Sequence, residues 1–221
     1  MTDNQDRARD MLPTVVITVL SMIQALALEL YWTRFSESDY LWQWGWDGAI
    51  GWLQFIVMLL GIIQIWLFYV SGVLRFTWLP TMEDTTMPFI IGLLEFAMVD
   101  LIGPEYTGPW FLALAAVFAV SVGASHLIMR RARKDPNNDY FFAHVERAKL
   151  SDYVASFTAV GIISLAGIMI CLFDVPPSIT VVALFFALAA LLYQMKSIHT
   201  YWLVSPQKSL GPKPTPNEDR K

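Results

Sequence analysis

The sequence predicts an all-α polytopic membrane protein, a bundle of six transmembrane helices with N-terminus and C-terminus cytoplasmic. Three observations predict it. The chain of 221 residues is 56% hydrophobic with mean hydropathy +0.48, too apolar for an ordinary soluble domain, and its apolar residues gather in runs long enough to span a bilayer. The nine Trp and eight Tyr suit a belt at the membrane–water interface. The cations are distributed on one side. With six helices, the N-terminus, the loop between the second and third spans, the loop between the fourth and fifth, and the C-terminal end hold 2, 1, 6 and 5 Lys plus Arg, so that 14 of the 15 lie together and Arg34 alone lies opposite. An odd helix count would break that split, which is the positive-inside signature.

In order along the chain, residues 1–10 are polar and expected to be disordered. Residues 11–32 form the first span. The run is too long for a signal peptide and ends Glu29-Leu30-Tyr31-Trp32, without a small-residue cleavage site. Residues 33–48 mix acids with Trp42, Trp44 and Trp46 and are expected to cap the outer face at headgroup level. The second span is residues 49–74. The third, residues 87–102, is expected to start near Thr86 with Pro88 in its first turn, and it stops at Gly103-Pro104. The fourth span is residues 109–129, followed by the basic run Arg130, Arg131, Arg133, Lys134 and the turn Asp135-Pro136-Asn137-Asn138. From Asp139 the pattern is helical again, and Tyr140 to Leu150 is amphipathic, suited to lying on the membrane or extending the fifth span, residues 151–173. A turn at Asp174-Val175-Pro176-Pro177 leads into the sixth span, residues 178–204. The Pro-rich polar tail, residues 205–221, is expected to be disordered. Residues 11–204 thus make one domain.

Polar residues inside the spans carry the functional content, because a carboxyl group in hydrocarbon persists only where it is paired, protonated or used. Glu95 and Gln24 fall near the midplane. Glu29, Asp100 and Gln54 fall toward the outer face, and Gln64, His126 and Gln194 toward the inner one. No Lys or Arg lies in the core to neutralise Glu95. Glu95 and Asp100 are five residues apart, about 140° around a helix, so they do not share a face. Thr14, Thr18, Ser21, Ala25 and Glu29 recur at helical spacing as a small, polar stripe that is expected to point into the bundle, as are Ala115, Ala119, Gly123 and His126, and Gly161, Ser164, Gly167 and Cys171. The segments IQALALEL and LEFAMVDL align with Gln24 opposite Glu95; Leu/Ala-rich helices align easily, and coincidence is the preferred reading over a helical-hairpin repeat.

Two classes of function follow. One is a small transporter or channel for protons or a cation, with Glu95 as central titratable group, Glu29 and Asp100 at the outer entry, and Gln24, Gln64 and His126 along the route. The other is a non-transporting membrane subunit or scaffold in which these side chains are packing glue, with Glu95 bonded to Gln24 or Gln64. There Arg130, Arg131, Arg133 and Lys134 with Trp42, Trp44 and Trp46 would contact anionic lipid headgroups or a partner. A minor alternative is haem ligation by His126 and His199. Retinal attachment is excluded by the lack of a mid-helix Lys. The single Cys171 excludes an internal disulfide. There is no glycine-rich phosphate loop, HExxH or GxSxG, so nothing points to an enzyme, a metal, a cofactor or nucleic acid. The partners expected are the bilayer and a homo-oligomer or membrane complex, in a plasma or bacterial inner membrane.

Overall fold

The computed structural model describes residues 2–79, 81–143, 147 and 149–209, all helix, turn or loop. Its elements are α1 (Thr2–Ser36), α2 (Trp46–Arg75), α3 (Met82–Asp100), α4 (Thr107–Ala132), α5 (Asp139–Phe142), α6 (Val154–Leu172) and α7 (Pro177–Ser209), with single 3-10 turns between several of them. Five stretches are long and apolar enough to cross a membrane: Asp10–Ser36, Trp46–Arg75, Pro104–Ala132, Ser151–Leu172 and Pro177–Lys196. The chain is therefore a multi-pass membrane protein by length and composition. α3 is not among them. Its 19 residues carry Glu83, Asp84, Glu95 and Asp100, so length suffices while apolarity does not.

Each long helix neighbours two others in a closed ring. α1 packs on α2 and α3, α3 on α4, α4 on α6, α6 on α7, and α7 returns to α2. The outward faces of α6 and α7 are apolar and exposed, with Phe157, Leu165, Leu172, Val182 and Phe185 pointing away from the bundle. In water this would be untenable; against acyl chains it has no cost.

Two sets of contacts fix the ends of the ring. At one end the Arg34 guanidinium donates twice to the Ile102 carbonyl (3.1 and 2.6 Å), tying the end of α1 to the end of α3. The Gly103 N–H donates to Gln54 Oε1 at 3.0 Å, tying in the start of α2. Gly103 has φ +152°, a conformation that disfavours side chains and lets the chain turn directly from α3 toward α4. Phe35, at the end of α1, meets Trp32, Trp42, Trp52 and Phe55 at ring separations of 5.3 to 6.2 Å. At the other end Asn138 bridges backbone groups of Thr77 and Ala132, and Arg131 pairs with Glu83 and Asp84.

The observed elements differ from the expected ones at several points. α1 begins at Thr2, taking in residues expected to be disordered. α3 begins at Met82, so Pro88 lies inside the helix rather than in its first turn. The better start signal is Thr81, whose N–H and hydroxyl both bond the Asp84 carboxylate, at 2.8 and 2.9 Å. Of the stretch Tyr140 to Leu150 expected to be an amphipathic helix, α5 covers the start and ends at Phe142, and residues 144–146 and 148 lie outside the described set. Phe141 and Phe142 fold onto Phe76 (ring separations 5.0 and 5.6 Å), and Arg75 lies over Phe141, so this start of the stretch packs on the end of α2. α7 continues to Ser209, past the expected boundary at 204; residues 210–221 of the tail lie outside the described set.

Candidate functional site

Glu95 sits on the buried stripe of α3. Ile91, Glu95, Met98, Val99 and Ile102 recur at three- and four-residue spacing and are all buried, whereas Leu93 and Asp100 face outward. Glu95 is 1% exposed. Gln24, also buried, donates its Nε2 to both carboxylate oxygens, at 2.9 and 3.2 Å. The approach is permitted by Gly92, one turn earlier. A Cβ there would lie 2.4 Å from Ile23 Cγ2, so only glycine lets α1 and α3 come this close.

On one wall of a cavity of about 60 Å³ stands Glu95, between α2, α3, α4 and α7. A water needs roughly 10–15 Å³ of such space, so several fit. The lining is mostly apolar, with Met58, Ile62, Met98 and Phe118 among the residues, but five polar side chains join it: Gln64 and Tyr69 from α2, Glu95, Ser121 from α4 and Gln194 from α7. Among the described residues, Gln64 Oε1 and Tyr69 OH are buried and have no hydrogen-bond partner; Gln24 Oε1 also has none. A buried polar atom without a partner is costly, and water in a roomy polar site is the usual remedy.

The remaining expected site residues scatter. Glu29 and Asp100 are exposed on the outer sides of α1 and α3 and do not reach the cavity. The stripe Thr14, Thr18, Ser21, Ala25, Glu29 was expected inside and is outside; Leu12, Val16, Leu20, Ile23 and Ala27 occupy the inner face of α1 instead. Small residues permit close packing but do not compel it. On α4, Ala115 is buried while Ala119, Gly123 and His126 are exposed. His126 Nδ1 lies 2.8 Å from the Tyr153 hydroxyl and does not line the cavity. The His199 side chain, the other half of the haem alternative, lies outside the described set. On α6 the close-packing expectation holds at Gly167, and Cys171 lies against Gly108 of α4, although Gly161 is exposed.

The basic run is not a uniform patch. Arg131 turns inward to Glu83 and Asp84, and the Arg133 guanidinium lies 4.4 Å from the Phe142 ring centroid. Arg130 and Lys134 are exposed. Trp42, Trp44 and Trp46 are all exposed, though Trp42 keeps edge contacts to Phe35 and Trp52. Sequence reasoning passed over Tyr69 and Ser121. A tyrosine six residues before Arg75 reads as an interface residue, and its inward direction depends on which face of α2 meets α3 and α4.

No protein-family model, curated protein or solved structure matches this chain.

Proposed function

We propose that the chain moves protons or a small cation across a membrane, with Glu95 as the central titratable group and Gln24 and Gln64 flanking it. One observation carries this reading: Glu95 shares a cavity with two buried, unpartnered oxygens, Gln64 Oε1 and Tyr69 OH. A carboxyl group whose role ends at packing has no need of room for water beside it. In this reading α3 also crosses the membrane. Its 19 residues reach about 28 Å at 1.5 Å per residue, close to the roughly 30 Å hydrocarbon thickness. Glu83, Asp84 and Asp100 lie near its ends, and Glu95 alone lies deep. Six crossings then account for the 14-to-1 split of cations and set both termini in the cytoplasm, in a plasma or bacterial inner membrane. Arg130 and Lys134 would meet anionic headgroups. Glu29, Asp100 and His126 are not needed.

A second reading is favoured by the two-bond contact from Gln24 to Glu95, which is how interhelical glue would look. The protein would then be a non-transporting subunit or scaffold, assembling with a partner or a second copy. Reconstitution in liposomes separates the two. Proton and monovalent-cation flux above that of empty liposomes, abolished in Glu95→Gln, supports transport. Background flux across a range of pH gradients sinks it and leaves the scaffold reading.

A further inference from the structure

The Glu95 cavity is not isolated. A second cavity of about 20 Å³, room for one water, lies toward the Arg131 end of the bundle. Its wall includes Trp78, Glu83, Asp84 and Arg131. Tyr69 is common to both cavities, its side chain is 3% exposed, and its hydroxyl has no hydrogen-bond partner among the described residues. Trp78 Nε1, in the second cavity, is likewise buried and unpartnered. Two residues that each carry a buried, unpartnered polar atom line this water-sized space, and one of them, Tyr69, also lines the cavity of the carboxyl group.

We propose that Tyr69 is a proton relay between the Glu95 cavity and the Arg131 end. This rests on the transport reading and narrows its substrate to the proton. A hydroxyl can do what an ion path cannot. Protonated Glu95 gives its proton to an adjacent water as that water passes one of its own to the Tyr69 oxygen, and the Tyr69 O–H proton passes to water in the second cavity. At each relay oxygen one O–H bond forms as one breaks; the Glu95 carboxylate and a hydronium ion in the second cavity are the products, and the tyrosine is left unchanged after the hydroxyl rotates back. A dehydrated metal cation would need several oxygen ligands at once and a passage that the Tyr69 ring occupies.

The test is Tyr69→Phe, which removes the hydroxyl and keeps the ring with its edge contact to Phe68. Proton flux into liposomes holding a pH-sensitive dye should fall at least about tenfold, as expected for loss of a positioned proton carrier. Tyr69→His, which restores a group able to accept and donate a proton, should recover part of it; a merely structural role would not be rescued this way. A second readout needs no flux. The infrared carboxyl stretch of Glu95, assigned by its loss in Glu95→Gln, should exchange its proton for deuterium more slowly in Tyr69→Phe. Flux and exchange both indistinguishable from the parent in Tyr69→Phe, with Glu95→Gln inactive, would overturn the relay and leave transport standing. If the parent shows only background flux, transport fails. Slowed exchange then still supports Tyr69 as the water route to Glu95, and unchanged exchange overturns that too.

Discussion

Gln24 of α1 donates one amide group to both carboxylate oxygens of Glu95 on α3, at 2.9 and 3.2 Å, and both side chains are buried. The pair joins two helices far apart in sequence and turns the carboxyl group toward the cavity. Interhelical hydrogen bonds in membranes are worth about 0.6 kcal/mol on average and up to about 1.7. This one uses two acceptors between buried side chains. A double-mutant cycle with Gln24→Leu and Glu95→Leu, read from reversible unfolding in detergent or bicelles, should give a coupling of about 1 kcal/mol. A coupling near zero would mean that Gln24 orients Glu95 without stabilising it.

Helices α4 and α6 cross closely at Gly108. A Cβ on Gly108 would lie 2.6 Å from Cys171 Sγ and 3.0 Å from the Cys171 backbone nitrogen. The sulfur could swing aside; the backbone could not. Gly108→Ala should therefore force the two helices apart and cost about 1–3 kcal/mol, as overpacking does. Cys171→Ala tests the cause. It removes the sulfur and should recover only a small part of the loss, because the backbone contact persists.

Arg131 neutralises Asp84, whose side chain is 5% exposed, and also meets Glu83, at 58%. Arg131→Gln strands a buried carboxylate and should cost about 3 kcal/mol. Glu83→Gln should cost far less, since the exposed partner is screened. The pH dependence follows from Glu83, which lies outside the expected span 87–102. The Thr81 hydroxyl, its own backbone N–H and Arg131 hold its carboxyl below the ordinary value of 4.5. A group with a lowered folded pKa contributes its full stability above that value and loses it as pH falls below. The Glu83 contribution, read as the melting-temperature difference between the parent and Glu83→Gln, should thus be constant from neutral pH down to about 4.5 and shrink beneath it.

How much of this was legible in the sequence depends on what the solvent is. Five of the six expected spans were, since long apolar runs admit few other readings. That Glu95 is buried and Asp100 exposed agrees with their five-residue separation along α3. Facing was harder. In water, the apolar side of a helix must turn inward. In a bilayer Leu is at home on either side, so Thr14, Thr18 and Ser21 could not be assigned inward by composition, and they turn out exposed. Gln24 and Glu95 align in sequence and meet in space because α1 and α3 lie side by side with their ends tied by Arg34 and Ile102. The sequence offers Gln24 or Gln64 as the partner of Glu95, and only the placement of α1 beside α3 decides for Gln24. Tyr69 was missed for the same reason.

At the Arg131 end the closing loop is held by Asn138. Asn138 is 2% exposed and uses its whole amide. Its Oδ1 accepts from the Thr77 N–H at 3.1 Å, and its Nδ2 donates to the carbonyls of Thr77 (2.6 Å) and Ala132 (2.7 Å). It imitates a strand partner for Thr77 and a cap for the end of α4. Asn138→Ala would strip the Thr77 N–H and C=O of their partner, while the Ala132 carbonyl keeps the Asp135 N–H. Each stranded group costs about 1–3 kcal/mol if water cannot reach it, but the truncated side chain leaves space for one water, so a total of about 2–3 kcal/mol is expected. Asn138→Asp is the sharper test. It keeps the acceptor for Thr77 N–H and sets a carboxylate oxygen against two carbonyls, replacing attraction by repulsion. Asn138→Asp should therefore destabilise at least as much as Asn138→Ala at neutral pH, and the gap should narrow as the pH falls and the carboxyl regains a proton to donate. Equal melting temperatures for both variants and the parent would show that the loop is held by Phe141 and Phe142 on Phe76 instead.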